Sequence, residues 1–126
     1  MKILQSGENY LETILMLSRK KAAVRSIDVA NEMGYSKPSV SIAMKQLREN
    51  GYVTVDDGGY ITLTADGREV AERMYERHRL LSEWLVYLGV DPETAAEDAC
   101  RMEHVISQAA FEKIKAHAEA EMEKRS

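Results

Sequence analysis

The sequence predicts a mainly α-helical protein with one small β-hairpin, and three observations carry that prediction. Apolar residues recur at helical spacing along most of the chain. Good capping residues, Ser26, Ser36, Thr64 and Asp91, stand just ahead of those stretches. One segment alone, YVTVDDGGYITLT at 52–64, alternates β-branched or aromatic residues with threonines around a DDGG turn. The chain has 126 residues, 44% hydrophobic and 30% charged, which suits one compact unit or two small subdomains sharing a core.

The elements follow in order. Asn9 to Ser18 sets Leu11, Ile14, Leu15 and Ser18 on one stripe, a short amphipathic helix. Ser26 is the expected N-cap of IDVANEM, which Gly34 ends. Ser36 caps SKPSVSIAMKQLREN, with Pro38 tolerated in the first turn, where no backbone N–H is needed, and Gly51 stops it. Two helices across a tight glycine-containing turn make a helix-turn-helix. Asp-Gly and Gly-Gly supply the positive φ of a tight hairpin turn. Helix, helix, helix and hairpin predict a winged helix-turn-helix over residues 1–64.

Thr64 then caps ADGREVAERMYERHRLLSEWLVYL, which Gly89 ends. Asp91 and Pro92 open a helix expected to run through Ile106, and an alanine-rich helix covers roughly residues 108–124. Leu80, Leu81, Trp84, Leu85, Tyr87 and Leu88 are more apolar surface than one helix of so small a domain needs. An oligomer interface would use the excess, with Leu81, Trp84, Leu85 and Leu88 as the candidates. Residues 65–126 are therefore expected to form a helical dimerisation domain.

Net charge is −4, yet its distribution is uneven. Residues 19–48 carry seven basic and two acidic side chains, and the remainder ten basic and nineteen acidic. A basic part joined to an acidic part suits a polyanion-binding module attached to a cation-binding or oligomerising one. In the second helix of the pair, Val40, Met44 and Leu47 fall at i, i+4, i+7 and should face the core. Ser36, Lys37, Pro38, Ser39, Ser41, Ile42 and Lys45 are left for DNA, with Arg25 from the preceding basic stretch. Lysine and serine suit phosphates and base edges, and Ile42 could meet a thymine methyl group. Asp56 and Asp57 at the wing tip would repel phosphate.

No apolar run is long enough to span a bilayer, and MKILQSGENYLETI lacks the features of a signal peptide. A lone cysteine excludes an intrachain disulfide framework. The expectation is a cytoplasmic protein with no membrane role.

That cysteine, Cys100, shares a helical face with Glu103 and His104 at i, i+3, i+4. Thiolate, carboxylate and imidazole together suit borderline transition ions, with softness falling toward Mn²⁺ as oxygen ligands increase. One helix cannot complete a coordination sphere. His78, Asn9 and Glu12 are candidates for the remaining ligands, ahead of Glu8 and Glu97. The plainer reading makes Cys100 a small buried hydrophobe and Glu103–His104 a surface pair. A nucleophile–base pair of Cys100 and His104 finds no third orienting group and no glycine-rich loop for an oxyanion, so an enzyme is not expected. Cys100 as a redox or organic-signal sensor of a winged-helix regulator is the alternative to a metal.

Five segments together carry a resemblance: ENYLETI at 8–14, VRSIDVANEMGYSKPSVS at 24–41, ITLTADGREVA at 61–71, RHRLLSEWL at 77–85 and ACRMEHVIS at 99–107. In this order they resemble the iron- and manganese-dependent repressors of the diphtheria-toxin-repressor family. The resemblance implies a winged-helix domain that binds palindromic operator DNA, a homodimer, and a divalent metal as co-repressor of metal-uptake genes. Cys100, Glu103 and His104 match the main site of its iron-responsive branch, which has methionine at the Asn9 position. Glu12, His78, Glu103 and His104 match the manganese-responsive branch, which has aspartate at Asn9 and glutamate at Cys100. The iron branch's ancillary site looks incomplete, because Ser82 and Ala96 stand where it has a carboxylate and a histidine. Cys100 tips the expectation to Fe²⁺, with Mn²⁺ second. The chain is expected to be a short form, without the SH3-like domain of many iron-responsive members.

Overall fold

The computed structural model describes residues 5–124 and contains six helices and one hairpin among them. Their order is α1 (Gln5–Lys20), α2 (Ser26–Met33), α3 (Lys37–Glu49), β1 (Val53–Val55), β2 (Ile61–Leu63), α4 (Ala65–Tyr87), α5 (Pro92–Met102) and α6 (Gln108–Glu123). This is a winged helix-turn-helix followed by a helical domain, the fold class expected from the sequence. Two compact units are present, Met1–Arg73 and Met74–Ser126, and their division falls within α4. No helix of the described residues is long and apolar enough to cross a membrane.

In the first unit, α1 extends beyond Asn9–Ser18 at both ends. Glu8 in its first turn and Arg19 and Lys20 in its last complement the helix dipole. Leu11, Ile14 and Leu15 are buried as the stripe required, whereas Ser18 is exposed. Ser26 is not the N-cap of α2. Arg25 is, because the Asp28 carboxylate accepts the Arg25 backbone N–H at 2.9 Å and moves the boundary back one residue. Gly34 ends α2 in the left-handed region (φ 72°), with its N–H and that of Tyr35 both returned to the Ala30 carbonyl. The Tyr35 ring then meets Tyr10 of α1 edge-on at 5.9 Å, pinning the turn.

Ser36 caps α3 as expected: its Oγ accepts the Ser39 N–H. Val40, Met44 and Leu47 are buried, so the phase of α3 is the one the pattern required. The hairpin pairs Val53 with Leu63, Thr54 with Thr62 and Val55 with Ile61. Beside this two-stranded sheet, the Ile61 N–H donates to the Val24 carbonyl and Arg25 forms an isolated bridge with Tyr60. Thr64 closes the hairpin and opens α4. Its N–H reaches the Tyr52 carbonyl, its hydroxyl donates to the Gly51 carbonyl at 2.6 Å, and the same oxygen accepts the Gly67 N–H.

The second unit builds a core from Leu80, Leu81, Ala99, Phe111 and Ala118, with Trp84, Met102, Ile106, Ile114 and Met122 packed on it. Asp91 caps α5 and Ser107 caps α6, each through a side-chain oxygen that accepts a backbone N–H in the first turn. The expected continuation of α5 to Ile106 is not found. The helix stops at Met102, and residues 103–106 form a turn leading into α6.

Candidate metal centre and helix-turn-helix surface

The early stop of α5 has a visible cause. A helix ends with carbonyls that lack intrahelical donors. Here the Met102 carbonyl is met by the Val105 and Ile106 N–H groups, and one buried side chain holds the carbonyls that follow: Arg77 Nη1 donates to the Glu103 carbonyl at 2.8 Å and to the Ile106 carbonyl at 2.9 Å. Its Nη2 donates to Gln108 Oε1 at 2.8 Å, and the guanidinium lies 5.4 Å from the centre of the Phe111 ring. The turn is thereby clamped onto α4. Within it, Glu103 keeps helical dihedrals as the C-cap, and its N–H still reaches the Ala99 carbonyl.

Cys100 therefore projects from the last turn of α5, Glu103 from its cap and His104 from the residue beyond. A sulfur, a carboxylate oxygen and an imidazole nitrogen of these three lie within 4.8 Å of one another. Glu103 is fully buried and the His104 side chain is only 2% exposed, while Cys100 is half-buried. His78, the residue after Arg77 on α4, brings Nδ1 to 3.4 Å from Glu103 Oε2. His104 brings Nε2 to 3.3 Å from the other oxygen, Oε1. The carboxylate is bracketed by two imidazoles.

These donors fit a divalent transition ion. Both separations exceed the 2.7–2.9 Å of a charge-assisted hydrogen bond. They match the roughly 3.3–3.8 Å between neighbouring donors around a tetrahedral ion whose ligands lie about 2.0–2.3 Å away. Removing a carboxylate completely from water is costly unless positive charge accompanies it. Soft sulfur, imidazole nitrogen and one anionic oxygen are the donor set of a borderline ion. Asn9 and Glu12 lie on α1 in the first unit, where Glu12 is buried and Asn9 half-buried.

Arg77 is the residue that sequence reasoning missed. The signal was available: Arg77, Leu80, Leu81 and Trp84 fall at i, i+3, i+4, i+7, so an arginine sits on the apolar stripe. Leu81 requires a correction. It is fully buried in the core of its own unit and offers nothing to an external face. Trp84 packs on that same core and Leu85 is half-buried, whereas Leu88 is 58% exposed.

On α3, Ser36, Lys37, Pro38, Ser39, Ser41, Ile42 and Lys45 are all exposed, Ile42 at 62%. Pro38, Ser39, Ile42 and Lys45 lie on the face away from Val40, Met44 and Leu47, with Ser36 and Lys37 at the helix entry and Ser41 on its flank. The Ser36 hydroxyl is already engaged, since it donates to Ser39 Oγ at 2.9 Å while capping the helix. Arg25 is laid across the Tyr60 ring, 4.4 Å from its centre, with Nη2 donating to the tyrosine hydroxyl at 3.0 Å. At the wing tip Asp56 and Asp57 are both exposed, and Asp56 accepts the N–H groups of Gly58 and Tyr60.

Residues 2–59 match the model of the iron dependent repressor N-terminal DNA binding domain, and residues 64–121 that of the iron dependent repressor metal binding and dimerisation domain. The chain is also 30% identical over 109 residues to the HTH-type transcriptional regulator MntR of Bacillus subtilis, covering 86% of this chain and 77% of that protein. The chain belongs to the iron-dependent repressor family. A second relative, the transcriptional regulator MntR of Escherichia coli O157:H7, is 36% identical over 101 residues, 80% of this chain and 65% of its own length. Among solved structures, a manganese-dependent transcriptional repressor complex with manganese superposes with a TM-score of 0.80 at 32% identity. It covers 89% of this chain, which spans 52% of that one. The manganese regulator SloR gives 0.79 at 28% identity, with 88% of this chain and 52% of the other covered. Thus the chain spans about two thirds of the E. coli relative and half of each structural one. Members of the repressor family are transcriptional regulators.

Proposed function

We propose that this chain is a cytoplasmic, metal-dependent transcriptional repressor that binds operator DNA as a homodimer. The observation that carries the reading is the convergence of Cys100, Glu103 and His104 within 4.8 Å, with His78 Nδ1 at 3.4 Å from the same carboxylate. Cys100, Glu103, His104 and His78 are the proposed ligands. Glu12, and more weakly Asn9, join them on the sequence resemblance alone. A bound divalent ion would supply the positive charge that lets a buried carboxylate and a thiolate share one site. Cys100 and His104 serve this reading as ligands, not as nucleophile and base. The thiolate favours Fe²⁺ over the harder Mn²⁺, although the two solved structures above are named as manganese regulators.

The exposed face of α3 would read the major groove through Lys37, Ser39, Ser41, Ile42 and Lys45, with Pro38 and Ser36 at its entry. Arg25, steadied by Tyr60, would hold phosphate beside it. Trp84, Leu85 and Leu88 remain the proposed dimer residues. A two-fold dimer would present two such helices and so require a palindromic site. Linkage then governs regulation: ligands that differ in affinity between two arrangements of the chain shift their populations by that difference.

The test is operator binding in the presence and absence of metal, with duplexes selected from a random pool on the Co²⁺-loaded protein. A coupling of about 1–3 kcal/mol predicts affinity roughly 5–150-fold higher with metal. His104→Ala should lose that stimulation and keep weak nonspecific binding. Full stimulation in His104→Ala would sink the reading. Binding that responded to peroxide and not to a chelator would favour Cys100 as a redox sensor instead.

A further inference from the structure

Arg77 is a buried cation that the ligand set does not use, and it lies one residue before His78. Its guanidinium makes three hydrogen bonds. It takes the carbonyl of the ligand residue Glu103, takes the Ile106 carbonyl three residues on, and is itself anchored by Gln108 Oε1 at the start of α6. Phe111, fully buried, covers one face.

We infer that Arg77 is the positioning residue of the metal centre: by holding the Glu103 and Ile106 carbonyls it ends α5 and sets Glu103 and His104 against His78. The reasoning is geometric. Were α5 to continue, its carbonyls would point along the helix axis to later N–H groups and His104 would follow an ideal helical path. The two bonds from Nη1 hold the turn instead. Because Arg77 and His78 are consecutive on α4, the bonds that fix the turn also fix its distance from the His78 imidazole. A planar fork with donors on two nitrogens suits this task, and a lysine ammonium, a point charge with rotatable donors on a flexible stem, suits it poorly. Outer groups that orient metal ligands commonly matter 10–100-fold for affinity.

The inference rests on the proposed metal site, so its test includes that site's own control. The 126-residue chain, Glu103→Ala, Arg77→Lys, Arg77→Met and Gln108→Ala are titrated anaerobically with Co²⁺ against a competing chelator, with visible spectra and far-ultraviolet circular dichroism recorded. Folded Arg77→Met should bind Co²⁺ about 10–100-fold more weakly than the parent, with shifted d–d bands. Arg77→Lys should fall between the two, and Gln108→Ala should change in the same direction by less.

A folded Arg77 variant with the parent's affinity and spectrum, whatever its thermal midpoint, overturns the inference, because a merely structural arginine would alter stability alone. If both Arg77 variants fail to fold, Gln108→Ala decides, and parental affinity and spectrum there overturn it equally. A parent that binds no Co²⁺, or a Glu103→Ala protein that binds as the parent does, removes the metal reading itself and this inference with it.

Discussion

At the residue scale, the first unit turns on small polar devices that can be tested singly. Asp28 accepts the Lys21 ammonium at 2.6 Å and the Arg25 N–H at 2.9 Å. The Lys21 hydrogen bond chiefly, and then the Arg25 backbone, hold its carboxyl below the usual aspartate range. An acid depressed in the folded state is protonated more readily in the unfolded chain. Its stabilisation is therefore complete above the ordinary aspartate pKa of about 4 and disappears as pH falls through the lower folded value. Thermal melts should show Asp28→Asn less stable than the parent at pH 7, with the gap closing below about pH 4. A gap independent of pH would remove the ionised carboxylate from the account.

Some residues were legible from type and spacing, and others were not. Ser36 and Asp91 cap where capping residues were expected, because a side-chain oxygen one turn ahead needs only local geometry. Ser26 failed as a cap because Asp28, three residues past Arg25, competes for the same boundary. Leu81 was read as interface because periodicity separates an apolar from a polar face. Periodicity does not say whether Phe111 and Ala118 will cover that apolar face from within the same chain.

At the element scale, α4 begins under a tight constraint. A Cβ on Gly67 would stand 2.0 Å from the Tyr52 carbonyl oxygen, so the helix lies against the hairpin base closer than any side chain allows. Backbone oxygen cannot step aside as a flexible side chain could. Gly67→Ala should therefore destabilise by about 1–3 kcal/mol in chemical denaturation, even though alanine is the better helix former. A stabilised Gly67→Ala protein would mean that the Thr64–Tyr52 junction is looser than described. The α5 terminus teaches a related lesson. Helical spacing alone grouped Cys100, Glu103 and His104, but the helix stops at Met102, before the last two of them. The reason is an arginine 26 residues upstream of Glu103, a tertiary contact no local window contains.

On the scale of the whole molecule, the order of elements was readable because each of its signals is short-range: helical periods, a DDGG hairpin and glycines at helix ends. The uneven charge likewise agrees with the two family domains, a DNA binding domain over residues 2–59 and a metal binding and dimerisation domain over 64–121. The proposed metal site was only half legible. Residues three and four apart on one helix advertise themselves, whereas the approach of His78 to Glu103 depends on how α4 packs against the α5–α6 turn. The central claim is that Cys100 belongs to this site as a ligand. Its most direct test is the near-ultraviolet absorption of the metal-free protein titrated anaerobically with Co²⁺, beside Cys100→Ser. The account predicts an intense sulfur-to-cobalt charge-transfer band in the parent that is absent from the variant. Weak d–d bands alone, identical in both proteins, would contradict it and leave a site of oxygen and nitrogen donors only.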